Sequence, residues 1–380
     1  MAGPELSYYE FFAGGGMAGM GLGPGWRALF ANDFDPRKAA VYRDNFGDDH
    51  LQVGDVWDVK AADLPGRADL AWASSPCQDL SLAGRRAGLA GARSSAFWGF
   101  WRLIEALEAE GRAPRAIVLE NVSGLLNSRD GADFTAMCEA FGRQGYLFGA
   151  VELDAALFAP QSRPRMFLVA VKDRPPAACL ADGPAAPFHT LRGARAFARL
   201  PEALRRDWLW WRLPSPPRRN TDLSALLEPA ASVRWRSADQ TAALLAQLSP
   251  AHRVRLDRAV AERGEVVGAL YRRIRVEDGV RVQRAELRLD GLAGCLRTPG
   301  GGSSKQFLLF AGPSGYRSRT LSPREAARLM GLPDDYRLPR AATTALHVTG
   351  DGVAAPVVRW LAAHVLEPAL RTPEQTLAAE

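Results

Sequence analysis

The chain has 380 residues, of which 47% are hydrophobic and 24% charged, a composition that excludes an intrinsically disordered protein and leaves room for one large domain and a smaller one. No apolar run reaches the ~18 residues of a membrane span, no basic-then-apolar leader opens the sequence, and the four cysteines lie far apart without a C-x-x-C pair, so a cytoplasmic protein with neither disulfide framework nor metal site is expected. Net charge is +6 but uneven: residues 173–300 hold 22 arginines, no lysine and 14 acids, the footprint of a module that meets phosphates.

From the N-terminus, LSYYEFF predicts a strand that runs into the glycine loop AGGGMAGMG. WRALFAN predicts a second strand, and Asp35-Pro36 supplies a cap and a first-turn proline for a helix through Asn45. DLAWA reads as a buried strand, SAFWGFWRLIEALEAEG as an amphipathic helix, AIVLE as a strand and ADFTAMCEAFGRQG as a helix. LFGAVEL and RMFLVAV follow as strands. Such alternation predicts an open, mostly parallel α/β sheet covered on both faces. The texture changes at the proline-rich DRPPAACLADGPAAPFHT. Beyond it an arginine-rich stretch shows short alternating segments, among them YRRIRVEDGVRVQRAELRL, which predicts a hairpin turning at Asp278-Gly279. SPRE, a capping box with a first-turn proline, restarts helical periodicity at residue 322, and a last helix is expected near Val353–Leu366. The expected domains are thus residues 1–174, an inserted basic domain over 175–314, and closing helices over 315–380 that return to the first.

Three groups of residues carry chemistry. Gly14-x-Gly16-x-x-Gly19 lies between a strand and a helix, with Asp33 nineteen residues after Gly14 at the end of the next strand. Backbone N–H groups in such a loop can approach a ligand closely, and an acid there can accept both ribose hydroxyls. Phe34 offers a face for adenine and Asp55 an acceptor for its exocyclic amine. This set favours an adenosine cofactor without separating a dinucleotide from S-adenosylmethionine. Cys77, in SSPCQDLS, follows the strand DLAWA at the sheet edge where α/β proteins place their sites, amid polar neighbours and near Arg85, Arg86 and Arg93. Glu120 ends the strand AIVLE at that same edge, where it can hold or donate a proton. Gln161, Arg163 and Arg165 alternate along an extended run, which sends all three to one side.

The ordered series FAGGGMAGMGL, ANDFDP, GDVWDV, SSPCQDLS, LENVSGLL, QSRPRMFLVAV, SPREAARLMGLPDDY and GDGVAAPVVRW resembles the motif series of the DNA (cytosine-5) methyltransferases of prokaryotic type, over almost the whole chain except the arginine-rich middle. That resemblance implies a Rossmann-like methyltransferase sheet and S-adenosyl-L-methionine as cofactor, with Phe12, Gly14, Gly16, Asp33, Phe34, Asp55 and Val56 around it. It implies Cys77 as the nucleophile towards carbon 6 of cytosine, Glu120 on the N3 and amino edge, Arg165 on the carbonyl oxygen and Arg163 in the surrounding pocket. The target base must leave the duplex to be reached. Gln78, Ser81 and Arg93 then belong to a loop closing over double-stranded DNA, Arg297 and Lys305 to a loop gripping the backbone, and the basic insert to target recognition.

Three positions depart from the family pattern. Glu10 stands where Asp usually begins the first motif, Met17 where glycine is common, and Gly350-Asp351-Gly352-Val353 replaces Gly-Asn-Ser-Val, which places Asp351 where it could attract the sulfonium. The expected protein is a monomeric, nucleoid-associated enzyme acting alone or beside a cognate restriction endonuclease. Cytosine-5 methylation of RNA, a nicotinamide-dependent oxidoreductase and a catalytically silent DNA-binding protein are the alternatives.

Overall fold

The computed structural model describes residues 5–76, 96–219, 221–298 and 305–371. The chain forms two compact units, one from Met1–Asp154, Pro164–Pro216 and Gly352–Glu380, the other from Ala155–Arg163 and Pro217–Asp351.

The first unit is built on strands β1 (Leu6–Phe11), β2 (Trp26–Asp33), β3 (Leu51–Val53), β4 (Leu70–Ala73), β5 (Ala116–Val122), β6 (Leu147–Asp154) and β7 (Pro164–Val171). Among the described residues they form a seven-stranded sheet in the order β3-β2-β1-β4-β5-β7-β6. β7 runs antiparallel to both its neighbours, and the other recorded pairings are parallel. The order reverses between β1 and β4, the crevice position at which such sheets bind ligands. The strands Leu70–Ala73 and Ala116–Asn121 are buried throughout because helices cover both faces of the sheet. The helix Ala96–Ala109 buries Phe97, Phe100, Trp101, Ile104 and Leu107, a three-and-four spacing that makes one apolar stripe. Trp101 meets Phe141 edge to face, with ring centroids 4.8 Å apart.

The division of the chain falls elsewhere than the expected boundaries after residues 174 and 314. Residues 175–216 pack with the first unit, through Trp208 against Phe134, Phe148 and Phe197 and through Leu209 N–H donating to the Phe148 carbonyl at 2.7 Å. Gly149 permits this: a Cβ there would lie 1.8 Å from the Leu209 carbonyl oxygen. The proline-rich texture near residue 175 marks a surface crossing of the first unit and not its end. Within Ala342–Leu370 an 18-residue window reaches a mean hydropathy of 1.2, yet the helix breaks at Gly352–Ala354 and 56% of that window is buried within the protein.

The second unit is organised around an antiparallel sheet in the order β11-β10-β8-β9, formed by β8 (Val266–Glu277), β9 (Val280–Arg288), β10 (Gln306–Gly312) and β11 (Gly315–Thr320). The hairpin turns at Asp278 and Gly279 with φ of 49° and 79°, the paired positive values of a type I′ turn. Two helices, Ala238–Leu245 and Pro250–Arg263, stand where the sequence predicts short alternating segments. Their signals are local: a Ser237/Gln240 capping box and Ser249 capping a helix with Pro250 in its first turn. Solvated arginines around Leu256 and Ala259 hide the period. Leu244, Leu256, Leu270, Leu287, Phe307 and Leu309 form this unit's core.

A fully buried ion pair closes the second unit. Arg319 donates to both oxygens of Glu325, at 2.7 and 2.5 Å, and Glu325 also accepts the Ser322 and Glu228 backbone N–H groups. Removing one partner strands the other charge. Glu325→Leu is therefore expected to cost about 3–5 kcal/mol in chemical denaturation, and the double change Arg319→Met/Glu325→Leu to recover most of that loss. Equal losses in the single and double variants would contradict this account.

Candidate active site

The spaced glycines of the loop answer to two different demands. Gly14 and Gly16 take φ of 57° and 76°, and Phe12 before them also has a positive φ of 59°. A Cβ on Gly16 would lie 2.3 Å from the Phe46 ring and one on Gly19 2.4 Å from the Tyr8 hydroxyl, so these two are demanded by packing. A Cβ on Gly14 would meet nothing within 4 Å, so there the backbone borders open space that a ligand can use. Asp33 steadies this point: its Oδ2 accepts the Gly14 N–H and its Oδ1 the Asp35 N–H, both at 2.8 Å. Burial pushes the Asp33 carboxyl above its ordinary value, opposed by these bonds and by Lys38.

Beside it Phe34 presents an exposed ring (68%) at the end of β2. Asp55 Oδ1 accepts the Trp57 N–H at 3.0 Å, and Val56 is buried. One nitrogen of Arg102 donates to the carbonyls of Val56, Trp57 and Val59, and its guanidinium lies 5.6 Å from the centroid of the half-exposed Trp57 ring. Arg102 thereby holds the turn that carries Asp55. Sequence reasoning missed it because its partners are backbone carbonyls some 45 residues away. An aromatic face, two carboxylates and an open glycine backbone suit an adenosine group with a charged tail.

Glu10 is the other residue the sequence undervalues. It is fully buried on β1 with its Oε2 lacking a hydrogen-bond partner among the described residues; the nearby backbone N–H groups of Gly19 and Ala18 favour its charged form and the neighbouring Asp33 opposes it. Burial drives its carboxyl up to about 8.

At the other side of the sheet reversal, β4 and β5 run parallel with Ala73 opposite Leu119, so the chain leading to Cys77 and the strand carrying Glu120 leave the sheet at one edge. Trp72 Nε1–H donates to Ser74 Oγ at 3.0 Å, and Asn121 Nδ2 donates to Ser75 Oγ at 3.1 Å. The two residues preceding Pro76 are thus fastened to β4 and to the neighbour of Glu120. Arg165 Nε lies 3.0 Å from Glu120 Oε1, with both side chains largely buried. In the antiparallel register Val122 faces Arg165 and Glu120 faces Phe167, so the pair is a diagonal cross-strand contact on one face. Cys77, Gln78, Ser81 and Arg93 lie outside the described residues.

Gln161, Arg163 and Arg165 are not sent to one side. Strand geometry begins at Pro164, so the alternation applies to Arg165 but not to the residues before it. Gln161 and Arg163 are buried in the second unit. Gln161 accepts the Leu296 N–H at 3.0 Å and donates to the Leu329 carbonyl at 2.9 Å; Arg163 donates to the carbonyls of Leu296 and Gly350 at 2.9 and 3.0 Å. Both therefore hold the segment entering CLRTPGGGSSKQ. Arg297 and Lys305, at the two ends of that loop's undescribed middle, are exposed. Asp351, also in the second unit, accepts the Thr298 hydroxyl. Gly350 has no room for a side chain, since a Cβ would lie 2.7 Å from the Arg297 carbonyl carbon.

A reversed sheet order, a glycine loop opening at Gly14 and a Glu–Arg pair at the adjoining edge mark an α/β protein with a ligand crevice at the sheet reversal, and the match to known proteins makes it a methyltransferase. A methyltransferase of Entamoeba histolytica, EhMeth, shares the fold with a TM-score of 0.62 at 13% identity, over 97% of this chain and 99% of that one. The chain belongs to the C-5 cytosine-specific DNA methylase family, whose model matches residues 6–367. Among curated relatives, the type II methyltransferase M.HhaI of Haemophilus parahaemolyticus is 24% identical over 95% of this chain and 94% of its own. M.HaeII of Haemophilus aegyptius is 29% identical over 45% of this chain, a match spanning about half of that protein (52%).

Glu10 makes the site sensitive to pH. A carboxyl at about 8 in the folded protein and near 4.5 when unfolded keeps its proton on folding, so stability falls as pH rises from 4.5 to 8. Glu10→Gln removes that titration. Its melting temperature is expected to exceed the wild type's by a margin that widens across this window and is flat above it. A margin independent of pH would show that Glu10 is ionised throughout.

Proposed function

We propose that this DNA cytosine-5 methyltransferase acts on a cytosine rotated out of duplex DNA, with S-adenosylmethionine as donor and a covalent bond to Cys77. The supporting observation is the Glu120–Arg165 pair beside the strand end that leads to Cys77. Carbon 5 of cytosine is too weak a nucleophile to take a methyl group unaided. The Cys77 thiolate adds to carbon 6, the C5–C6 double bond opens, and carbon 5 becomes enamine-like. Glu120 hydrogen-bonds the N3 and amino edge, and Arg165, held 3.0 Å from it, supports the ring oxygen and keeps the carboxylate aimed. The bound cofactor supplies an electrophilic methyl group. Phe34 and Asp55 hold the adenine, and Asp33 and the Gly14 backbone hold the ribose side. Loss of the C5 proton then restores the double bond and expels the Cys77 thiolate. Gln78, Ser81 and Arg93 close over the DNA, and Arg297 and Lys305 grip its backbone, on the loop whose base Gln161 and Arg163 fix. The second unit, with its arginine-rich surface, reads the target.

The reading suits a nucleoid-associated cytoplasmic monomer acting alone or beside a cognate restriction endonuclease. Family membership does not favour RNA as acceptor, and a hydride-transfer enzyme has no use for a Glu120–Arg165 pair at this edge.

Bisulfite sequencing of DNA from cells expressing the wild type is expected to show methylation at one sequence, and Cys77→Ser to abolish it. Duplexes carrying fluorine at carbon 5 cannot release that substituent as a proton, so the Cys77 adduct should persist through denaturing electrophoresis. Glu120→Gln is expected to lower kcat by about 10²–10⁴-fold with a smaller change in KM for DNA. Methyl transfer by Cys77→Ser at the wild-type rate would overturn the covalent route.

A further inference from the structure

The proposed function leaves the far end of β8 and β9 unexplained. β10 pairs with β8 from Val266 to Tyr271, whereas β8 and β9 stay paired out to Glu277 and Val280. Arg272–Glu277 therefore continues with β9 as a two-stranded ribbon about 20 Å long, at ~3.3 Å per residue.

The ribbon's two faces differ in chemistry. One carries Arg273 opposite Arg284, Arg275 opposite Val282 and Glu277 opposite Val280. Here the charges are largely matched within the protein: Arg284 donates to Glu277 at 2.8 Å, Arg275 pairs with Glu286, and Arg273 lies 5.0 Å from the Tyr271 ring centroid. The other face carries Arg272 opposite Ala285, Ile274 opposite Gln283 and Val276 opposite Arg281, with no acid among them; Arg272 donates to Gln283 Oε1 at 3.4 Å, a long bond that base contact would replace. Ile274 and Val276 are 48% and 70% exposed, and Arg281 is exposed. This face continues the one on which Leu270 and Leu287 are buried, but it runs beyond the core those residues build. Folding of the unit gains little from apolar side chains there, so a partner is the better explanation of them.

Resting on the reading of the chain as a DNA methyltransferase, we infer that this ribbon face enters the major groove and reads base edges, Arg281 and Gln283 by hydrogen bonds and Ile274 and Val276 against thymine methyl groups. The groove admits a two-stranded β-ribbon, arginine matches the acceptors of guanine, glutamine matches the donor–acceptor pair of adenine, and aliphatic groups match the methyl of thymine. Residues 272–285 hold five arginines and two acids, a balance suited to a polyanion. A second copy of the chain would cover the aliphatic groups but would bring Arg281 against its own like charge.

The test compares Arg281→Ala and Gln283→Ala with Arg273→Ala, on the matched face, as control. All three lie outside the core, so equal melting temperatures establish folding. Duplexes of randomised sequence, methylated with S-adenosylmethionine and read by bisulfite sequencing, are expected to show that the first two variants accept additional bases at one position each. They should lose about 10- to 100-fold in kcat/KM on the wild type's preferred site. Arg273→Ala should keep the wild-type preference. Unchanged preference and rates within twofold for Arg281→Ala and Gln283→Ala would overturn the inference, as would a wild-type dimer that these changes dissociate without altering preference. Wild type that methylates no duplex would overturn the proposed function instead. Anisotropy of a labelled duplex then still tests the ribbon, which fails if Arg281→Ala binds as tightly as wild type.

Discussion

The lateral pairing of β4 with β5 is the constraint on which the site depends. Two parallel strands with Ala73 opposite Leu119 run out at the same edge, and the proposed chemistry draws on both: on Glu120 near the end of β5 and on the chain that leads from β4 towards Cys77. The hydrogen bonds from Asn121 to Ser75 make that delivery specific, tying the approach to Cys77 to the residue after Glu120. Around this edge β7 contributes what a parallel strand could not. Running antiparallel, it brings its first residues, Arg165 among them, to the end of the sheet where β5 finishes. A parallel β7 would present its last residues there and leave Glu120 a buried carboxylate without a cation, at a cost of several kcal/mol.

The protein treats its buried carboxylates in two ways. Glu120 has Arg165, and Glu325 has a bidentate Arg319. Glu10 has no such cation among the described residues: its Oε2 is buried without a hydrogen-bond partner there, and the nearby N–H groups of Gly19 and Ala18 only partly offset its burial, with Asp33 opposing its charge. The consequence is a division of labour. The ion pairs fix side chains whose direction matters at any pH, whereas Glu10 and Asp33 both brace the loop around Gly14 and are linked to each other through charge.

What the sequence reveals follows from the range of the interactions concerned. Strands as apolar as AIVLENV, capping boxes at Ser322 and the positive-φ turn at Asp278-Gly279 are local, and each is legible from a few neighbouring residues. The direction of β7, the diagonal meeting of Glu120 with Arg165 and the docking of Trp208 beside Phe148 depend on pairings made by distant segments. The glycine pattern is an intermediate case. Its spacing is visible, but three glycines that look equivalent serve two purposes, and the Phe46 ring and the Tyr8 hydroxyl that demand two of them are supplied by other elements. Likewise Gln161, Arg163 and Arg165 read as one alternating motif, although the strand starts only at Pro164, three residues after Gln161.

That last boundary also explains why such a short motif can serve two purposes. Pro164 has no N–H to donate, so it opens β7 without demanding a partner, and its fixed φ sets the direction of the strand. Before it, Gln161 and Arg163 spend their hydrogen bonds on backbone carbonyls and an N–H of residues 296, 329 and 350. After it, Arg165 spends its charge on a carboxylate. Backbone groups are fixed acceptors, and a guanidinium divided between the carbonyls of Leu296 and Gly350 can seat them in one arrangement that Gly350, with no Cβ, leaves room for. The same residue type therefore does two kinds of work two positions apart: Arg163 shapes a loop through main-chain contacts, and Arg165 orients an acid.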